Sequence, residues 1–212
     1  METRQQKTRI LTFADALKVF ATLEMRICDF YERLAEMFDE DSDISEFWLQ
    51  MAGDEMEHAD ALRSAAESLP ESILVTSSQP VIERAMIRKL FRAVQICEQT
   101  MTRHEGSLDA AFQCALFLES SEISDIYRWL LDRIPLLWTD PLSALTETSG
   151  HIINLCEVIE GGAQDSKLRE RAGELRRQLE EYGFRRYIAV HKSKRVRGRL
   201  EEDLMEENGG VL

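Results

Sequence analysis

Residues 13–39 read FADALKVFATLEMRICDFYERLAEMFD, with apolar positions that recur at helical rather than alternating intervals. Leu17, Phe20, Ile27, Tyr31, Leu34 and Phe38 fall on one face of a helix, and Thr12 is its expected N-cap. Glu24 stands in the middle of that face. A carboxylate on such a stripe is costly to bury unless it is paired, protonated or bound to a cation. The segment that sets the fold class as helical therefore also marks a place where chemistry is expected.

Beyond a turn at 39–42, the spacing predicts a second helix, with Asp43 and Glu46 as a capping box and an inward face of Phe47, Met51, Glu55, His58 and Leu62. Glu55-Met56-Glu57-His58 puts a carboxylate and an imidazole three residues apart, pointing the same way, so the pair can grip a metal ion. Residues 69–80 form a turn-rich link, followed by an amphipathic crossover from Val81 to Arg103. Gly106-Ser107 breaks the pattern, and Ser107 should cap a helix facing inward through Ala111, Phe112, Ala115, Glu119, Glu122, Ile126 and Leu130. A further helix, Leu142 to Ile159, carries His151 and is closed by Gly161-Gly162. The chain has four prolines, Pro70, Pro80, Pro135 and Pro141, and each falls where the helical pattern lapses. The expected organisation is an all-α bundle over 1–162 and a charged helical extension and tail over 163–212, helical to about Tyr182.

Two helical hairpins built on one plan are suggested by a short internal echo. Leu23-Glu24 with Tyr31 matches Leu118-Glu119 with Tyr127, and the context of His58 matches that of His151.

Composition narrows the function. The 212 residues carry a formal charge of −13, and residues 165–212 are nearly balanced, so the excess acidity lies in the body. Such a body repels nucleic acid and anionic membrane and attracts cations. Met1–Ile10 is polar, with no apolar run behind it, which argues against a secretory signal or membrane span and for a cytoplasmic protein. Cys28, Cys97, Cys114 and Cys156 include no Cys-x-x-Cys pair and fall mostly among apolar neighbours. They read as buried thiols, with neither a disulfide nor a cysteine-ligated metal expected. The basic run 191–199 is expected to pair with acidic groups of the chain or of a second copy. Phe91, Phe117 and Trp129 are candidates for an exposed strip through which a homodimer would form.

Burying several carboxylates in one helical core is most simply explained by metal. One Glu from each of two helices and a Glu-x-x-His from each of two others suffice for two divalent ions. On Glu24 with Tyr31, Glu55-x-x-His58, the long crossover, Glu119 and His151, residues 13–160 resemble the ferritin-like superfamily, nearest to the erythrin domain of rubrerythrin-type proteins. The resemblance implies a four-helix bundle with a long crossover, a dinuclear iron site that reacts with oxygen or peroxide, and metal ligands Glu24, Glu55, His58, Glu119 and His151. It also implies that Tyr31 hydrogen-bonds a ligand carboxylate. Where the relatives have a bridging Glu three residues before the second histidine, this chain has Thr148. Glu122 is the preferred substitute and Glu147 the other candidate. Mixed carboxylate and imidazole donors suit iron or manganese and also accept zinc. Without a rubredoxin-like Cys-x-x-Cys domain, electrons must come from ferrous iron or from a separate donor. The expected activity is oxidation of ferrous iron or reduction of peroxide or oxygen. The alternative, motivated by Thr148, is a bundle whose site has decayed to one metal or none and which serves as a binding or scaffold protein.

Overall fold

The computed structural model describes residues 13–68, 84–122 and 149–190, and among these the chain is all-α. Six helices follow one another: α1 (Phe13–Met37), α2 (Ser42–Glu67), α3 (Arg84–Arg103), α4 (Leu108–Glu122), α5 (Ser149–Gly162) and α6 (Ser166–Val190). Helices α1 and α2 pack along each other, as do α5 and α6, while α3 lies against α1 and α4, and α4 also meets α5 and α6.

Each helix forms where a stripe needs burial. In α1 the predicted face is buried from Leu17 to Leu34, Glu24 included, and Phe38 lies just past the helix, packed against the core. In α2 the face is Phe47, Met51, Glu55, His58 and Leu62, all buried. Its N-terminus differs from the expected capping box. Asp41 is the N-cap, extended at φ −108° and ψ 97°, and its carboxylate accepts from the Ile44 N–H. Asp43 already lies inside the first turn, because the tight turn after α1 lets the helix start at Ser42. Ser107 caps α4 as expected, its Oγ accepting from the Ala110 N–H at 3.3 Å. The turn before it needs a left-handed residue, supplied by Gly106 at φ 75°.

The crossover segment contributes a helix to the core. Leu90, Val94, Cys97 and Met101 of α3 are buried, and Glu98 on its outer side accepts from Arg26 and Arg33 of α1 at 2.8 Å each. The charged extension also packs inward: Leu168, Ala172, Leu175 and Leu179 of α6 belong to the same apolar core as α1 to α5. Helix α6 runs to Val190, past the expected end near Tyr182. Asp109 of α4 ties the α5–α6 turn down by accepting from the Gln164 and Asp165 N–H groups at 2.8 and 2.9 Å. Gly173 faces Glu160 of α5, and a Cβ there would meet Glu160 Oε1 at 2.6 Å, displacing the carboxylate that accepts from Arg176.

One surface expectation is corrected. Phe117 is 4% exposed and packs in the core, and Phe91 is partly buried against it, because the α3–α4 pair turns these rings inward. Trp129 lies outside the described residues, as do Thr12, the 69–80 link and the basic run. Among the described residues no helix is long and apolar enough to cross a membrane.

Candidate metal centre

Few polar side chains are buried in this core, and five of them meet in one place. Glu24 (0% exposed) comes from α1, Glu55 (0%) and His58 (5%) from α2, Glu119 (1%) from α4 and His151 (8%) from α5. Glu24, Glu55, His58 and Glu119 were legible as polar interruptions of an apolar stripe, and His151 through its echo of the context of His58. The convergence of four helices puts them together.

The cluster resolves into two triads, Glu24–Glu55–His58 and Glu55–Glu119–His151, and in each the donor atoms lie within 4.8 Å of one another. Glu55 belongs to both. Three donors each roughly 2.1 Å from one ion average at most about 3.6 Å apart, so closure of a triad on a metal requires each donor atom to move inward by up to roughly 0.7 Å. His58 Nδ1 lies 3.1 Å from Glu55 Oε2. His151 Nε2 lies 2.8 Å from Glu119 Oε2 and 3.8 Å from Glu55 Oε1. The two imidazoles adjoin, with ring centroids 5.0 Å apart.

Tyr31 lies two turns along α1 from Glu24 in the same core. Its hydroxyl donates to Glu119 Oε1 at 2.7 Å, so Glu119 is held between a phenol and an imidazole. The Tyr31 ring is itself fixed by a stack on Trp48, with centroids 5.7 Å apart and planes 17° apart, and Trp48 packs on Phe47 and Phe112. Trp48 was absent from the sequence reading of the site; as an indole on an apolar stripe it is indistinguishable there from ordinary core.

The electrostatics of the metal-free cluster are divided. Both oxygens of Glu24 and Oε1 of Glu55 are buried with no hydrogen-bond donor. Burial, followed by the charge of Glu55, holds the Glu24 carboxyl well above the ordinary carboxylate range. Burial, followed by the charge of Glu119, does the same to Glu55. Glu119 behaves oppositely: burial opposes its charge, but His151 and the Tyr31 hydroxyl outweigh burial and hold the carboxyl low. His151 is correspondingly held up by Glu119, against the effect of burial. The cluster thus contains one ion pair, Glu119–His151, and one facing carboxyl pair, Glu24–Glu55.

Of the remaining candidates, Glu122 is the last residue of α4, described by its backbone alone, and Glu147 and Thr148 lie outside the described residues. Asp54 is half-buried, four residues before His58 on α2, and burial raises its carboxyl above the ordinary value against the opposing charges of His151 and His58. Sequence periodicity gave no signal for Asp54, because it lies off the apolar stripe.

No family model matches this chain, and neither a curated protein nor a solved structure matches it.

Proposed function

We propose that the chain is a ferritin-like four-helix-bundle protein that binds two metal ions, most simply iron, and reduces peroxide or oxygen or oxidises ferrous iron at this centre. The single observation that carries the reading is the pair of triads sharing Glu55, in which three buried carboxylate oxygens have no donor. Orphaned buried acceptors are expensive, roughly 1–3 kcal/mol each, and a divalent cation removes the cost at all three at once.

Glu24, Glu55 and His58 would hold one ion, and Glu55, Glu119 and His151 the other. The three carboxylates offset three of the four charges of two divalent ions. Half-buried Asp54 beside the two imidazoles adds a further negative charge. Bound ferrous iron would supply the electrons. Tyr31 keeps Glu119 oriented by donating to Oε1, which leaves Oε2 facing His151. The apolar walls from α1 and α2 exclude bulk water, which strengthens each charge interaction inside.

The test is metal stoichiometry after anaerobic ferrous loading. Wild type should bind two irons per chain and give an ultraviolet charge-transfer band on peroxide addition. Glu24→Gln and Glu119→Gln should each retain about one iron, and Glu55→Gln none. Retention of two irons by a folded Glu55→Gln protein, or no iron in wild type, would sink the reading.

A further inference from the structure

We propose that Cys97 and Cys114 form a redox-active dithiol that a small peroxide oxidises to an intramolecular disulfide, locking α3 to α4. This inference does not rest on the metal centre.

The pairing follows from hairpin geometry. The turn between α3 and α4 is closed by the Ser107 N–H donating to the His104 carbonyl at 2.9 Å. Cys97 lies seven residues before His104 and Cys114 seven after Ser107, so the two sit at the same height, about 10 Å from the turn at 1.5 Å per residue. Their contacts are reciprocal. Cys97 Sγ lies 3.8 Å from the Cys114 carbonyl oxygen, and Cys114 Sγ lies 3.9 Å from that of Cys97. The thiols are also within hydrogen-bonding reach of each other. Both are free and fully buried, and Ala93, Ala111 and Ala115 nearby leave room for the helices to approach closely. A disulfide calls for Cα atoms roughly 4.4–6.8 Å apart. Each sulfur lies beside the other residue's backbone carbonyl, so the two residues face each other across the hairpin.

The chemistry balances with hydrogen peroxide as the oxidant. One thiol loses its proton and its sulfur attacks a peroxide oxygen; the O–O bond breaks, a sulfenic acid forms, and the departing hydroxide takes up the proton as water. The second sulfur attacks the sulfenic sulfur, the S–S bond forms, the S–O bond breaks, and a second water leaves. Two thiols lose two electrons and the peroxide gains them. Burial pushes the Cys97 thiol well above its ordinary value, so thiolate is scarce and the reaction is slow. Both thiols are also 0% exposed, so peroxide reaches them only when the α3–α4 hairpin opens locally.

The experiment treats the metal-free full chain with hydrogen peroxide, then unfolds, alkylates and digests it for mass spectrometry. The expected result is loss of two of the four thiols, a decrease of about 2 Da in mass, and a peptide linking Cys97 to Cys114 that dithiothreitol separates. Cys28 and Cys156 should remain alkylatable, and Cys97→Ser should show no 2 Da decrease. Persistence of all four thiols, oxygen addition at Cys97 or Cys114 without a link, or links that join other cysteines or two chains would overturn the proposal. The wild-type measurement suffices even if Cys97→Ser does not fold. Because metal is absent throughout, the outcome is separate from that of the iron titration.

Discussion

Replacing Glu24 by Met exchanges a buried carboxyl for an apolar side chain of similar volume, and the structure sets opposite expectations for the metal-free and metal-loaded protein. Glu24 is fully buried, both its oxygens lack a donor, and it confronts Glu55. Removing one orphaned group recovers roughly 1–3 kcal/mol. Volume-conserving exchange in a packed core costs less than about 1.5 kcal/mol. The metal-free Glu24→Met protein should therefore be more stable than wild type by about 1 kcal/mol, a rise in Tm of roughly 2–4 °C for a chain of this size. Ferrous iron at about a hundred times its Kd stabilises a one-site protein by roughly 2.7 kcal/mol, so loaded wild type should overtake the variant. The assay is thermal unfolding of both proteins after chelation and again under anaerobic ferrous loading. If Glu24→Met lowers the metal-free Tm by several degrees, or if iron shifts both proteins equally, the reasoning from unsatisfied carboxylates fails.

Three further outcomes are expected. The neutral forms of Glu24 and Glu55 stabilise the metal-free protein fully below the ordinary carboxylate value of 4.5, and this contribution fades as pH rises through their raised values in the fold. His151 acts with the same sign above its ordinary 6.5, and Glu119 with the opposite sign, losing its contribution as pH falls through its lowered value. Metal-free Tm should thus fall as pH rises through the raised values of Glu24, Glu55 and His151, while the iron-loaded Tm should rise because protons compete for the ligands; parallel profiles would contradict this. Tyr31→Phe removes a buried donor to a carboxylate and should destabilise the metal-free chain by about 1.5–3 kcal/mol and weaken iron binding roughly 10–100-fold, as measured by denaturant unfolding and iron titration. Leu175→Ala empties a buried site between α6 and the core and should cost about 2–5 kcal/mol in denaturant unfolding; an effect near zero would show that α6 is not structurally coupled to the bundle.

Some of this protein is written in local periodicity. The stripe of α1 and the stripe of α2 are properties of one helix each, so the sequence alone identifies both helices, their buried faces, and Glu24, Glu55 and His58 as the polar members. Ser107 and Gly106 likewise act within a single turn. Glu119 is visible in the same way, as a polar position on an inward face, and His151 through the echo of the His58 context.

Other features depend on how one helix is rotated and shifted against another, and no spacing within a helix encodes that. Glu55 becomes the residue common to both triads only because α4 and α5 bring Glu119 and His151 to its second oxygen. Tyr31 donates to Glu119 across 88 residues of chain, Trp48 is placed to stack on Tyr31, and Cys97 meets Cys114 through the register of the α3–α4 hairpin. The cap at Asp41 and the burial of Phe117 also depart from the local signals, since turn geometry and helix docking decide them. Sequence by itself determined which faces are apolar and which carboxylates and imidazoles interrupt them. Tertiary structure decided which of those groups share a site, because the burial that drives the helices together is non-directional, and the relative register comes from packing the whole core.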